Sequence, residues 1–156
     1  MITAQRTMEM DASQQQVWGV FGRFMHINEF HPRVTKVDAL TEATTGIGAA
    51  RRCHFKDGTS AVEKVVAWQE GSSYQVQLTE FSMPLKQLFM SLSVDPIAAN
   101  RSRVTMQLRY DVKFGPLGWL MGKTMMANMM GKMMGMVLSG LQKRVGDVAS
   151  PRAVAA

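Results

Sequence analysis

The sequence predicts an α+β fold: a curved antiparallel sheet of six or seven strands wrapped around one long C-terminal helix, with two short helices after the first strand. Three observations predict it. Strand-like segments follow one another from residue 34 to 114, separated by turns too short for crossover helices. A helical pattern interrupts the strands once, directly after the first of them. A second helical pattern, Leu117–Val148, is long enough to lie across such a sheet and is apolar along one side.

Each element has a local reason. Ile2–Met10 alternates with period two, as a half-buried strand does. Asp11-Ala12-Ser13 offers short side-chain oxygens that can cap the free N–H groups of a helix over Gln14–Phe24, with Val17, Phe21 and Phe24 on one face. A second short helical segment is predicted at Ile27–Phe30, and His31-Pro32 ends it, because the residue before proline disfavours the helical region. Strands are then predicted over Val34–Ala43, Ala49–Lys56, Thr59–Gln69, Tyr74–Met83, Leu85–Val94 and Arg103–Phe114. Asp57-Gly58 reads as a two-residue hairpin turn, and Asp95–Ser102, with Pro96 and Asn100, as a loop. Gly115-Pro116 stops the sheet and opens the last helix, whose apolar side carries Met126, Met130, Met133, Val137, Leu141, Val145 and Val148. Residues 1–149 are expected to form one domain and 150–156 a tail.

Composition sets the outer limits. A chain of 156 residues, 46% hydrophobic and 19% charged, can bury one core and is no disordered polyelectrolyte. Eighteen Lys and Arg against twelve acids give +6, but the bases are scattered, with no run and no aromatic-basic motif. Nucleic acid is therefore not expected, and transient contact with an anionic membrane surface is the better use of the excess charge. One cysteine, Cys53, excludes an internal disulfide. The N-terminus lacks the pattern of a signal peptide, and Leu117–Leu141 carries Lys123 and Lys132, which makes it a poor membrane span. A cytoplasmic location is expected, as a monomer or homodimer.

Several motifs lose their chemistry on inspection. Gly46-Ile47-Gly48 begins like a dinucleotide fingerprint but lacks the third glycine and precedes a strand, so no cofactor is expected. Cys53 and His54 are neighbours on a strand and point to opposite faces, and His26 and His31 have the wrong spacing for a helical pair. No metal site is expected.

A sheet curled around a helix leaves space between them, which is a place for an apolar ligand. Inward positions of strands and helix nominate Phe21, Phe30, Val76, Leu78, Leu92, Met106, Leu108, Tyr110, Met126 and Met130 as its lining. With 15 Met in the chain, the helical methionines read either as core filling or as an adaptable cavity wall. The polar candidates are Arg52, His54, Glu63 and Tyr110, as acid, base or oxyanion donor if a reaction occurs. A two-residue turn at Asp57-Gly58 places Arg52 opposite Glu63, with His54 on the same face and Arg51 and Lys64 on the other. That pair is either a surface ion pair or a polar clamp in the cavity.

The whole chain also resembles the START-like, SRPBCC superfamily (the helix-grip or Bet v 1-like fold), in its polyketide cyclase/dehydrase-like branch. The resemblance rests on Asp11-Ala12-Ser13 with Val17-Trp18 and Phe21; Pro32-Arg33-Val34 and Val37; Gly46-x-Gly48-x-x-Arg51; Asp57-Gly58, Glu63 and Trp68; Pro84-Leu85; Gly115-Pro116-Leu117-Gly118; and Leu138-x-x-Leu141-Gln142-Lys143. It spans about residues 2–147, and the order and spacing carry it. His31 stands where the family usually has tryptophan, a change at the pocket mouth. The resemblance implies a helix-grip fold that binds a hydrophobic small molecule, lipid-like or polycyclic aromatic, as a carrier or sensor. The alternative it implies is a cyclase, aromatase or dehydratase acting in the same cavity.

Overall fold

The computed structural model describes residues 1–149; the segment 150–156, expected as a tail, lies outside the described residues. Seven strands form one antiparallel sheet: β1 (Ile2–Met10), β2 (Val34–Ala39), β3 (Ala50–Phe55), β4 (Ser60–Gln69), β5 (Ser73–Thr79), β6 (Leu85–Ala98) and β7 (Arg101–Val112). Their order is β1-β7-β6-β5-β4-β3-β2, so every strand from β2 onward pairs with its neighbour in sequence. Only the link from β1 to β2 crosses between the sheet edges. It carries α1 (Gln14–Phe21) and a tight helical turn, Phe24–Glu29.

Local chemistry explains the element ends. Ser13 closes a capping box: its Oγ accepts from Gln16 N–H at 3.1 Å, and Gln16 Oε1 accepts from Ser13 N–H at 2.9 Å. The helix expected to run to Phe24 stops at Phe21, and the next turn begins at Phe24 rather than Ile27. The loop expected at Asp95–Ser102 is instead a two-residue connection between two long strands. Pro96 is tolerated because it lies beyond the last β5–β6 pair, Ser73 with Ser93, so no β5 acceptor awaits its missing N–H.

The C-terminal helix runs without a break from Gly115 to Ala149: α2 (Gly115–Met121), a wide π turn (Gly122–Met126) and α3 (Ala127–Ala149). At the π turn the Gly122 carbonyl accepts from Tyr110 Oη–H at 2.7 Å. Gly122 lets the helix approach the sheet there: a Cβ would meet the Val112 side chain at 2.7 Å and Ile2 at 2.8 Å, so these would have to shift. α3 lies on β1, β7 and α1. Its buried side is Met130, Met134, Val137, Leu138, Leu141 and Val145. Met134 and Leu138 join the expected stripe and Val148 leaves it for solvent. Gly140 sits against the Phe30 carbonyl, while Gly135 has open space around it.

Candidate functional site

The inward face of the sheet follows from alternation. It presents Cys53 and Phe55 from β3, Ala61, Glu63 and Val65 from β4, and Tyr74, Val76 and Leu78 from β5. β6 and β7 continue it with Leu88, Met90, Leu92, Met106 and Leu108. Between this face and the helix lies a cavity of about 810 Å³. Phe30, Leu78, Leu92, Met106, Leu108 and Met130, all nominated from the sequence, stand on its wall, and so does Glu63. Met129, Met133 and Met136 close the helix side, and Phe81 and Met83, from the β5–β6 loop, form part of the rim.

Six nominated residues lie elsewhere. Phe21 belongs to an aromatic cluster, 5.1 Å from the Trp18 ring and 5.9 Å from Tyr74. Val76 is in the packed core, outside the cavity lining. Met126 lines a shallow groove beside α2. Tyr110 spends its hydroxyl on Gly122 and is away from the cavity. Arg52 points to the outer face, where its guanidinium meets Glu80 at 3.1 Å and Ser60 at 3.2 Å. His54 follows it outward and contacts Asp38 at 2.7 Å.

The displacement of Arg52 and His54 has one cause, the hairpin register. Thr59 C=O accepts from Phe55 N–H at 2.9 Å, so the turn holds three residues, Lys56, Asp57 and Gly58, instead of two. Gly58 has a φ of +88°, which suits glycine in the third place of such a loop. Asp57 Oδ1 stabilises it by accepting from Thr59 N–H at 2.9 Å and Thr59 Oγ1–H at 2.6 Å. A shift of one residue flips every side chain of a strand. Glu63 therefore pairs with Arg51, not Arg52.

Arg51 and Glu63 form a buried ion pair, with Arg51 0% exposed and Glu63 6%. Arg51 Nε–H donates to Glu63 Oε2 at 2.6 Å, and Nη1–H donates to the Phe24 carbonyl. The guanidinium also lies over the Phe24 ring, 3.8 Å from its centre. Burial works against the Arg51 charge, but the Glu63 carboxylate, with Tyr74 and Cys53 beside it, offsets the loss, and the Arg51 pKa stands above the ordinary value. Cys53 Sγ lies 3.8 Å from the same Glu63 oxygen. Burial, with Glu63 adding to it, pushes its thiol up to about 12, so it is a poor nucleophile.

Two further polar residues are buried on the cavity wall, and the candidate set did not include them; Arg33, Lys56, Asp57 and Lys132 line its exposed edge. Tyr74 is buried, its hydroxyl has no protein hydrogen-bond partner, and burial raises its pKa. His31 is buried at the rim, where its Nδ1 accepts from Arg33 N–H at 3.2 Å. Burial lowers its pKa to about 4, against a pull upward from Glu63. The imidazole is therefore neutral at pH 7, with Nε2 carrying the proton. Alternation did carry the Tyr74 signal, since it shares parity with Val76 and Leu78. It carried that of Arg51 too, which shares parity with Cys53 and Phe55.

A curved sheet closed by a C-terminal helix over an apolar cavity defines a helix-grip fold. The family model described as polyketide cyclase/dehydrase and lipid transport matches residues 1–146, and the chain belongs to that family. No curated protein matches the chain by sequence. Similar solved structures include a START superfamily protein from Mycobacterium smegmatis, 15% identical with a TM-score of 0.77, covering 94% of this chain and 99% of that one. Norcoclaurine synthase of Thalictrum flavum, in complex with dopamine and hydroxybenzaldehyde, is 16% identical with a TM-score of 0.74, covering 96% and 88%. The di-domain ARO/CYC BexL is 15% identical with a TM-score of 0.75, covering 97% of this chain and 48% of that one. These likenesses are of fold. Among the described residues no helix is long and apolar enough to cross a membrane.

Proposed function

We propose that the protein binds a hydrophobic small molecule, lipid-like or polycyclic aromatic, between the sheet and α3, as a carrier or sensor. The observation that carries this reading is the cavity itself, about 810 Å³, with Phe, Leu and Met making up half of its lining residues. Of the four catalytic candidates only Glu63 reaches it. The methionines on the helix side suit ligands of differing shape, because the thioether chain is unbranched and polarisable.

The polar wall narrows the ligand class. Glu63 Oε2 is taken by Arg51 and Cys53, and no protein hydrogen bond reaches its Oε1 among the described residues. His31 Nε2–H is a free donor at the same wall. A ligand hydroxyl can donate to Glu63 and accept from His31, whereas a carboxylate would face the Glu63 charge. At this buried wall an apolar alcohol or phenol fits better than a carboxylate, whose cationic partners in the lining, Arg33, Lys56 and Lys132, are all exposed. The test is displacement of a hydrophobic fluorophore by a long-chain alcohol, the acid of equal length, and a polycyclic phenol, with native mass spectrometry of the freshly purified protein. Saturable binding of the alcohol or phenol ahead of the acid is expected. No saturable binding of any of these classes overturns the reading.

A cyclase or dehydratase reaction in the same cavity is the second reading, favoured by the free Glu63 oxygen and the neutral His31 on one wall. Loss of water from a bound phenolic polyketide, followed by mass, separates it from carriage.

A further inference from the structure

The first half of the C-terminal helix exposes apolar side chains that the cavity does not use. Phe114 is 74% exposed, Leu117 70% and Met125 72%, and Trp119 and Leu120 stand open beside them. Leu117, Met121, Met125 and Met129 follow at intervals of four, so they form one stripe along the helix. The stripe begins at the exposed tip of α2 and ends at Met129, which is on the cavity wall. Scattered exposed apolar residues are ordinary, but a contiguous stripe of this kind marks an interaction surface.

Charge selects the occupant. From Val112 to Gly146 the chain holds no Asp or Glu, and Lys113, Lys123 and Lys132 are all exposed. Lys123 Nζ lies 4.8 Å from the centre of the Trp119 ring, which places a cation beside an amphipathic aromatic. A basic rim around an apolar face, with Trp at the boundary, is the pattern of a helix that lies in a lipid interface. A second copy of the chain is the poorer occupant. A twofold contact sets this patch against itself, where its lysines find only lysines.

We propose that the Phe114–Met125 face docks on an anionic lipid bilayer, lying in the interface without crossing it. Phe114, Leu117 and Leu120 enter the headgroup–acyl boundary, and Lys113 and Lys123 meet lipid phosphates. The stripe then brings the Met129 side of the cavity mouth toward the bilayer. The docking stands whatever the cavity ligand is, since none of these five residues lines the cavity.

The test is sedimentation of the full chain with phosphatidylcholine vesicles, with and without phosphatidylglycerol, alongside the melting temperature and sedimentation velocity. Binding to phosphatidylglycerol vesicles is expected, weakening with salt and far weaker on phosphatidylcholine alone. Leu117→Glu with Leu120→Glu should abolish it at unchanged melting temperature. Lys113→Glu with Lys123→Glu should weaken it by about tenfold or more. Absence of binding to phosphatidylglycerol vesicles overturns the proposal. So does binding that both double variants leave unchanged, or a dimer of the parent that the leucine variant dissociates while vesicle binding persists.

Discussion

Strands β1 and β7 lie under the C-terminal helix, while β3, β4 and β5 reach beyond it. Both halves of the sheet turn alternate side chains inward. Under the helix these side chains meet Met134, Leu138 and Leu141 and become core. Beyond it they face the cavity, and the same alternation becomes a cavity wall. The difference shows that the cavity comes from where the helix sits, not from a special strand sequence. The open half also tolerates what the closed half does not, a buried ion pair and a tyrosine hydroxyl without a partner.

The largest expected effect breaks the open half. Glu63→Ala leaves Arg51 charged and buried without its carboxylate, and should cost about 3–5 kcal/mol in denaturant unfolding. Replacing both partners, Arg51→Met with Glu63→Leu, should recover most of that loss, because two apolar groups need no compensation. A double variant as unstable as Glu63→Ala would contradict this account of the pair.

The closed half should respond to truncation. Leu141→Ala removes a fully buried side chain from the sheet-facing side of the helix and should cost about 2–5 kcal/mol. Leu78→Ala, on the half-open wall, should cost clearly less by the same measurement, since its side chain already borders empty space. Equal losses at the two sites would erase the distinction between the halves.

His31 gives the comparison a pH dependence. Its folded pKa, about 4, lies below the ordinary 6.5, so the unfolded chain takes up a proton that the folded one refuses. The His31 contribution is present above pH 6.5 and is lost as pH falls from there toward 4, amounting to a few kcal/mol at most. His31→Gln should flatten stability against pH in that window. A variant with the parent's slope would place the titration elsewhere. The smallest effect belongs to the outer face. Arg52→Ala should change stability by less than about 1 kcal/mol, because its partner Glu80 is exposed and water screens the pair.

Much of this was legible in the sequence. Strand count, the antiparallel order and the helix pair after β1 follow from alternation and turn residues. The inward parity of Leu78, Leu92, Met106 and Leu108 follows from the same alternation. The β3–β4 register was not legible, because Asp57-Gly58 serves a two-residue or a three-residue turn equally well. Only the Phe55–Thr59 hydrogen bond decides between them. That single step exchanged Arg52 for Arg51. Tyr110 was read as polar lining, and no pattern in the sequence announces that a π turn will claim its hydroxyl. His31 stood out by type, but its burial depends on how the crossover packs against the cavity mouth.

If ligand enters the open half of the sheet, Leu78→Trp should block it. Leu78 sits opposite Glu63 on β5 and borders the cavity, so an indole there fills ligand space without displacing packed core. The measurement is fluorophore and long-chain alcohol binding to the parent and to Leu78→Trp, with melting temperature alongside. The melting temperature should stay unchanged or rise, and binding should weaken by about tenfold or more. A folded Leu78→Trp that binds as the parent does would contradict binding in the open half.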